Sequence, residues 1–275
     1  IGTCEIVYCF ARLHIGFSLG RMDRGLVREI LVFTSYIFIG TVVNQLNWSV
    51  DRIILANTLG SVAVAVYSVA EQLDQYYMSL STTVSDVFTP HVHRMASAGA
   101  SNEEFTSLFT RVGRIQFIIM AMILSGFVVF GRAFIGKWAG PEYMYSDAYL
   151  CGLLLFSANL VPGVQYLGIS IQQAKNMHRF RSLLYLALCL INIGMSIPLA
   201  KRFGPSGAAL GTFIVTFFGN GLLMNWYYHR KIGLDIPYFW RQILSMTKGL
   251  VIPLIAGLCI MRFADITTWS RILFY

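Results

Sequence analysis

The stretch that decides the fold is RVGRIQFIIMAMILSGFVVFGRAFI, residues 111–135. Between Arg114 and Arg132 it carries no charged side chain, and its apolar and polar residues do not alternate. A bilayer core about 30 Å thick needs roughly 20 apolar residues in one helix. A backbone in lipid must also satisfy its own hydrogen bonds. The stretch therefore predicts a transmembrane α-helix.

The composition of the whole chain points the same way. Of its 275 residues, 56% are apolar and only 12% are charged, about half the charged share of an ordinary soluble domain. Intrinsic disorder is excluded as well, because disordered chains are poor in hydrophobic side chains. The five cysteines are scattered singly and form neither a disulfide framework nor CxxC metal spacing. The net charge of +8 is interpreted relative to a bilayer, and no nucleic-acid partner is predicted.

Similar apolar stretches recur along the chain and predict an all-α, polytopic membrane helical bundle with about seven complete transmembrane helices. Residues 1–11 and 266–275 are apolar but too short to cross, so each is expected to be a truncated helix. The absence of an initiator Met leads us to expect a fragment of a longer chain. The predicted spans are residues 30–50, 62–90, 111–135, 148–174, 180–200, 206–228 and 240–263.

The distribution of Lys and Arg predicts how the spans are oriented. Cations accumulate on the cytoplasmic side of membrane proteins. With seven spans, more of them fall on the side that holds residues 12–29, where Arg12, Arg21, Arg24 and Arg28 lie. Residues 12–29 are therefore predicted to be a cytoplasmic connector, and the first full span to leave the cytoplasm.

The second predicted span carries a polar stripe. Glu71 belongs to it, and Asp74 and Asp86 sit beside it. Ionised carboxylates in a low-dielectric setting need a cation, water or a proton. Glu71 and Asp74 are therefore candidates for H+ or Na+ coupling along a translocation path. An interhelical hydrogen-bond network is the alternative. The stripe consists of Ser68, Glu71, Gln75, Met78, Thr82, Ser85 and Thr89.

Four cations are candidate substrate-binding residues on their charge alone. Arg52 follows Asp51 at the polar end of the first span, which lines the mouth of a cavity or simply marks the membrane exit. Arg111 and Arg114 lie one helical turn apart and could bind a phosphate as two guanidinium forks. Positive-inside anchoring explains them equally well. Lys248 lies within the seventh span, where it could attract an anionic headgroup or snorkel to the interface.

Proline and glycine predict local geometry within the spans. Pro162 with Gly163, and Pro253, remove backbone hydrogen bonds and make bends expected. The small residues that begin the sixth span, Gly207 and Gly211 among them, allow close approach of helix backbones.

No enzyme is predicted. HExxH and Walker-type motifs are absent from the sequence. We therefore expect neither a catalytic residue nor a cofactor, apart from possible H+ or Na+ coupling.

Four stretches carry a likeness to a known family: DRIILANTLGSVAVAVYSVAEQL (51–73), TPHVHRM (89–95), GRAFIGKWAGPEY (131–143) and FGPSGAALGT (203–212). The likeness rests on helix-end and turn residues, such as Asp51, Gly60 and Tyr67 in the first stretch. Together the stretches resemble the polysaccharide exporters, or lipid-linked oligosaccharide flippases, of the multidrug/oligosaccharidyl-lipid/polysaccharide superfamily. The resemblance covers residues from about 25 to 232.

The resemblance implies a two-lobed transporter that works by alternating access through a central cavity between its lobes. Residues 30–232 would form the second, MATE-like six-helix lobe, and residues 233–275 additional C-terminal helices. Without the first lobe the chain is not expected to enclose a path. The implied cargo is a polyprenyl-pyrophosphate-linked oligosaccharide in the bacterial inner membrane. The implied partners are this lipid-linked glycan, membrane lipids, the missing N-terminal lobe, and polysaccharide polymerase or assembly proteins.

Three alternatives stay open at this point. A MATE-type cation-coupled antiporter of drugs or metabolites shares the fold, and Glu71 and Asp74 would suit it. A membrane-embedded glycan enzyme would need a large extracytoplasmic loop or a His or acidic site in a span, and the sequence shows neither. The third alternative is a membrane scaffold without transport activity.

Overall fold

The computed structural model describes residues 24–177 and 179–263, which form helices and no strands. The all-α prediction is thus confirmed. A short 3-10 turn, Pro141–Tyr143, follows the third helix. The helices are α1 (Arg24–Leu59), α2 (Ser61–Ser97), α3 (Asn102–Trp138), α4 (Ala148–Val164), α5 (Leu167–Ala174), α6 (Arg179–Phe203), α7 (Pro205–Ile232) and α8 (Ile236–Phe263).

Each predicted span falls in one of these helices or in the bent pair α4–α5. By length and composition, three described helices can cross a membrane, α3, α6 and α7, and a fourth if α4–α5 is one span. The helices α1, α2 and α8 have 36, 37 and 28 residues. At 1.5 Å per residue they also reach across a bilayer core. The structure is thus a helical membrane bundle, while the count of seven spans stays a prediction.

Part of the predicted organisation lies outside the described residues. This applies to the truncated helices at 1–11 and 266–275 and to residues 12–23 of the connector. Residues 24–29, predicted as the rest of the connector, already belong to α1.

Five helical units pack in a closed ring within the described part of the chain. In order around the ring, α1 packs on α6, α6 on α7, α7 on α4–α5, α4–α5 on α2, and α2 on α1. The other two helices, α3 and α8, stand beside this ring: α3 packs on α2 and α4, and α8 packs on α3.

Local sequence explains where several helices begin and bend. Gly60 alone separates α1 from α2 and has a positive φ of 85°, a conformation that glycine adopts at little cost. The α3 helix begins with a capping box, in which Ser101 Oγ accepts from the Glu104 N–H at 3.3 Å and Glu104 Oε2 from the Ser101 N–H at 2.7 Å. The bend predicted at Pro162 is confirmed, because α4 and α5 meet at 41° just after it.

Glycines bring α6 and α7 into backbone contact, as the small residues of this span predict. A Cβ built on Gly207 would lie 2.0 Å from the Leu199 carbonyl oxygen, and one on Gly211 would lie 2.8 Å from Ser196 Oγ. Side chains at these two positions would push the helices apart.

A dry aromatic core joins α3 and α8 to the ring. The Phe109 ring centroid lies 4.6 Å from that of Phe239 and 5.8 Å from that of Tyr228, and all three side chains are buried. By contrast, large apolar side chains on the outer faces, such as Ile118, Leu190 and Leu244, are exposed. Such exposed apolar surface suits lipid as the surrounding solvent.

Candidate functional site: a polar cavity inside the helix ring

The ring of helices surrounds a partly open cavity of about 780 Å³. Its lining residues come from α1, α2, α4–α5, α6 and α7, and the described residues of α3 and α8 contribute none. A cavity of this size is typical of ligand pockets. The resemblance implied a cavity between two lobes, whereas this one lies between helices of the chain itself.

The polar stripe predicted on the second span faces this cavity along much of its length. Glu71, Gln75, Met78 and Thr82 line it, and so does Asp74. At 1.5 Å per residue, the lining from 67 to 82 spans about 22 Å of α2. Ser85, near the C-terminal end of the stripe, contacts α3 instead of the cavity. Its Oγ accepts a hydrogen bond from the Gln116 amide of α3 at 2.7 Å.

Asp51 is the centre of a hydrogen-bond network that joins four helices. Its Oδ2 accepts from the Tyr67 hydroxyl and from the Thr212 hydroxyl, each at 2.7 Å. The Asn192 amide of α6 in turn donates to Thr212 Oγ1 at 3.3 Å. Asp51 is 2% exposed, and its Oδ1 has no hydrogen-bond partner among the described residues. A buried carboxylate oxygen in this state could accept a proton or contact a cation.

Two further buried carboxylates lie on α2. Glu71 Oε2 forms an ion pair with Arg52 Nε at 3.0 Å. Asp74 Oδ2 accepts from the Asn159 amide of α4 at 2.6 Å, and its Oδ1 lacks a described partner. Within residues 24–177 and 179–263, no three His, Cys, Asp or Glu side chains form a group that could hold a metal ion.

Amide, hydroxyl and aromatic groups line the rest of the cavity. The Tyr185 hydroxyl donates to Asn220 Oδ1, and the Arg181 guanidinium lies over the Tyr185 ring, 4.5 Å from its centroid. The Gln165 amide donates to Asn225 Oδ1 at 2.6 Å. Asn220 lies in a π-helical segment of α7, Phe217–Met224, and π-helical segments are frequent at functional sites.

The structure separates the four cations predicted to bind substrate. Arg52 lines the cavity. Arg111 and Arg114 on α3 and Lys248 on α8 are exposed, and none of them belongs to the lining. Their role in binding stays a prediction, but the structure gives them no position in the cavity.

Several lining residues were not predicted from the sequence. Asp51 was interpreted only as part of the polar end of the first span, and Arg181 received no role. Asn159, Gln172 and Thr212 received no role. The available signal was a single polar residue within an otherwise apolar span, which marks a partner helix or an aqueous cavity.

Comparison with known proteins gives one match. Residues 3–146, which are 144 of the 275 residues, match the model of a family described as “Polysaccharide biosynthesis protein”. Three of the four resembling stretches lie inside this match, and residues 203–212 lie beyond it. Neither the curated proteins nor the solved structures gave a significant match. The match confirms the resemblance: this helical membrane protein belongs to the polysaccharide biosynthesis protein family, a family of polysaccharide-related transporters.

Proposed function

We propose that the chain is part of a transporter that flips a polyprenyl-pyrophosphate-linked oligosaccharide across the bacterial inner membrane by alternating access, without an enzymatic step. The observation that carries the proposal is the polar cavity inside a ring of helices whose outer faces are apolar.

The cavity suits a glycan because its wall offers both donors and acceptors. A sugar hydroxyl that leaves water loses its hydrogen bonds to water. This costs free energy unless donors and acceptors of the protein replace those bonds. Asn159, Gln172 and Gln173 supply amides, and Arg181 supplies a cation for a phosphate. The lipid chain of the cargo would stay against the apolar outer faces, where lipid replaces water.

In this proposal, binding of H+ or Na+ to the buried carboxylates drives transport. Asp74, Glu71 and Asp51 would take up H+ or Na+ in one conformation and release it in the other. The Arg52 guanidinium, paired with Glu71, would hold that carboxylate ionised when no cation is bound.

Orientation and partners complete the proposal. Residues 12–29 would lie in the cytoplasm, on the evidence of the cation distribution in the sequence. The path would be completed by an N-terminal lobe of the same protein. Polysaccharide polymerase or assembly proteins would receive the flipped glycan.

The proposal is tested by deleting the gene and returning the full-length protein. We expect undecaprenyl-linked glycan to accumulate in the deletion strain and to fall again on complementation. Surface glycan that is unchanged by the deletion would contradict the proposal. A variant with Asn159→Leu and Gln173→Leu should insert in the membrane but should not lower the amount of lipid-linked glycan that accumulates in the deletion strain.

A second candidate is a cation-coupled antiporter of organic cations. It is favoured by one observation, the three buried carboxylates Asp51, Glu71 and Asp74 along a single cavity. In proteoliposomes, organic-cation uptake driven by a proton or sodium gradient would support this candidate. Absence of such uptake, with glycan accumulation in the deletion strain, would exclude it.

A further inference from the structure

One side chain in the cavity wall is buried without partners. Gln172 lies on α5 and has a relative exposure of 0%. Neither its Nε2 nor its Oε1 has a hydrogen-bond partner among the described residues. Both atoms belong to a residue that lines the cavity. A primary amide in this state lacks two donor contacts and at least one acceptor contact.

A second buried glutamine shows what a structural role looks like in this protein. Gln116 on α3 is also 0% exposed. Its Nε2 donates to the Ser81 carbonyl, Ser81 Oγ and Ser85 Oγ at 3.0, 2.9 and 2.7 Å. The Gln116 Nε2 therefore fastens α3 to α2, while its Oε1 lacks a described partner. In Gln172 both amide atoms lack one, so this side chain fastens nothing that the structure describes.

The end of α5, close to Gln172, is fixed in place by contacts of Lys175. Lys175, one turn later, donates from Nζ to Asn102 Oδ1 at 2.7 Å and to the Ile232 carbonyl at 3.1 Å. Its ammonium also lies 4.5 Å from the centroid of the Phe105 ring. Partial burial lowers the pKa of Lys175 from its ordinary value. These contacts tie α5 to the start of α3 and the end of α7.

From these observations we infer that Gln172 is a specificity-determining residue whose side chain binds the sugar of the cargo. Its amide would bind a neighbouring donor and acceptor on one sugar ring. An acetamido group presents such a pair, and so do two vicinal hydroxyls. The inference rests on the proposed glycan transport and adds the atom pair that recognises the sugar.

The first test separates this role from a structural one. In Gln172→Met an apolar side chain of similar length replaces two unpartnered polar groups, a change that is neutral or stabilising for a fold. We expect the melting temperature of the purified full-length protein to stay equal or rise, while glycan export in cells falls. The matched control, Gln116→Met, should lower the melting temperature because it removes the amide that donates to Ser81 and Ser85 of α2. Normal export by Gln172→Met, or a fall in its melting temperature like that of the control, would overturn the inference.

The second test identifies the group that Gln172 binds. Three probes share one lipid: polyprenyl pyrophosphate alone, the same lipid carrying N-acetylglucosamine, and the same lipid carrying glucose. The wild-type protein should bind a sugar-bearing probe more tightly than the bare lipid. Gln172→Met should lose about tenfold or more of that preference, as expected for one or two lost hydrogen bonds.

The outcomes of the second test either identify the sugar group that Gln172 binds or overturn the inference. A preference for N-acetylglucosamine alone identifies the acetamido group, and equal preference for both sugars identifies the vicinal hydroxyls. A sugar preference that is unchanged in Gln172→Met, or absent from the wild type, overturns the inference. The proposed transport function fails separately, if deletion of the gene leaves lipid-linked glycan unchanged.

Discussion

The ring of five helical units and the α3–α8 pair are both built from apolar helices, but they place their polar side chains differently. In the ring, buried polar side chains such as Asp51, Asp74 and Gln172 line a cavity and keep some hydrogen-bonding capacity free within the described structure. Beside the ring, the side chains of Phe109 and Phe239 fill the space, and the Gln116 amide donates hydrogen bonds to serines of α2. Lack of a partner alone does not separate the two regions, because Thr110 Oγ1 and Gln116 Oε1 of α3 also lack described partners. The difference lies in position, since among the described residues only polar side chains of the ring lie on a cavity wall.

The largest effect should come from removing the cation of the Arg52–Glu71 ion pair. Arg52→Met leaves Glu71, whose side chain is 5% exposed, without this partner, while the Arg52 side chain itself is 41% exposed. Solvent screens such a pair, so its loss should cost less than the roughly 3–5 kcal/mol of a fully buried pair. We expect a lower free energy of unfolding, measured on protein in detergent, and a loss of export.

The double variant sharpens this result. With Arg52→Met and Glu71→Met together, no uncompensated charge remains, so most of the stability should return. Export should not return, because the proposed coupling carboxylate is gone. A double variant as unstable as the single one would mean that the pair is not the reason for the instability.

The next effect compares arginines inside and outside the ring. Arg181→Gln removes a cation from the cavity wall, and a hydrogen bond to a charged group is worth about 1.5–3 kcal/mol. We therefore expect export to fall about tenfold or more. The paired change Arg111→Gln with Arg114→Gln removes two exposed cations from α3. The phosphate-clamp hypothesis predicts impaired export for this pair with normal membrane insertion, and normal export would discard it.

A smaller effect tests the contact that closes the ring between α6 and α7. Gly207→Ala would place a Cβ 2.0 Å from the Leu199 carbonyl oxygen, and such overpacking costs about 1–3 kcal/mol. The matched change Gly194→Ala on α6 meets nothing within 4 Å and should be neutral or slightly stabilising. Equal melting temperatures for the two variants would contradict the close helix contact.

The smallest effect concerns the α3 cap, outside the ring. Ser101→Ala removes the hydroxyl that accepts from the Glu104 N–H and should lower the free energy of unfolding by about 1 kcal/mol. Export should stay normal, because the cap lies away from the cavity wall. A selective loss of export in this variant would break the distinction between the ring and its outer pair.

Sequence reasoning predicted the helices better than their arrangement. Apolar length predicts a span such as residues 111–135, and Pro162 predicts the bend after it, because both signals are local. Which helix faces the cavity depends on contacts between distant residues. Asp51 meets Thr212 across 161 positions, and no local pattern contains that pairing. The stripe on α2 was visible because its period matches one helix face. Gln172 lies on the short helix α5, where Gly168 and Ile169 precede it by one turn, so no such stripe marks it.

Solvent access to the cavity tests the central claim most directly. Single cysteines replace Met78 or Thr82 on the cavity wall, and Ile118 or Leu244 on the outer surface, in a cysteine-free background. A charged, membrane-impermeant thiol reagent is applied to the full-length protein in inverted and right-side-out vesicles. The account predicts labelling at 78 and 82, reduced by lipid-linked glycan, and little labelling at 118 and 244. Cavity positions that resist the reagent in both orientations while the outer positions react would contradict it.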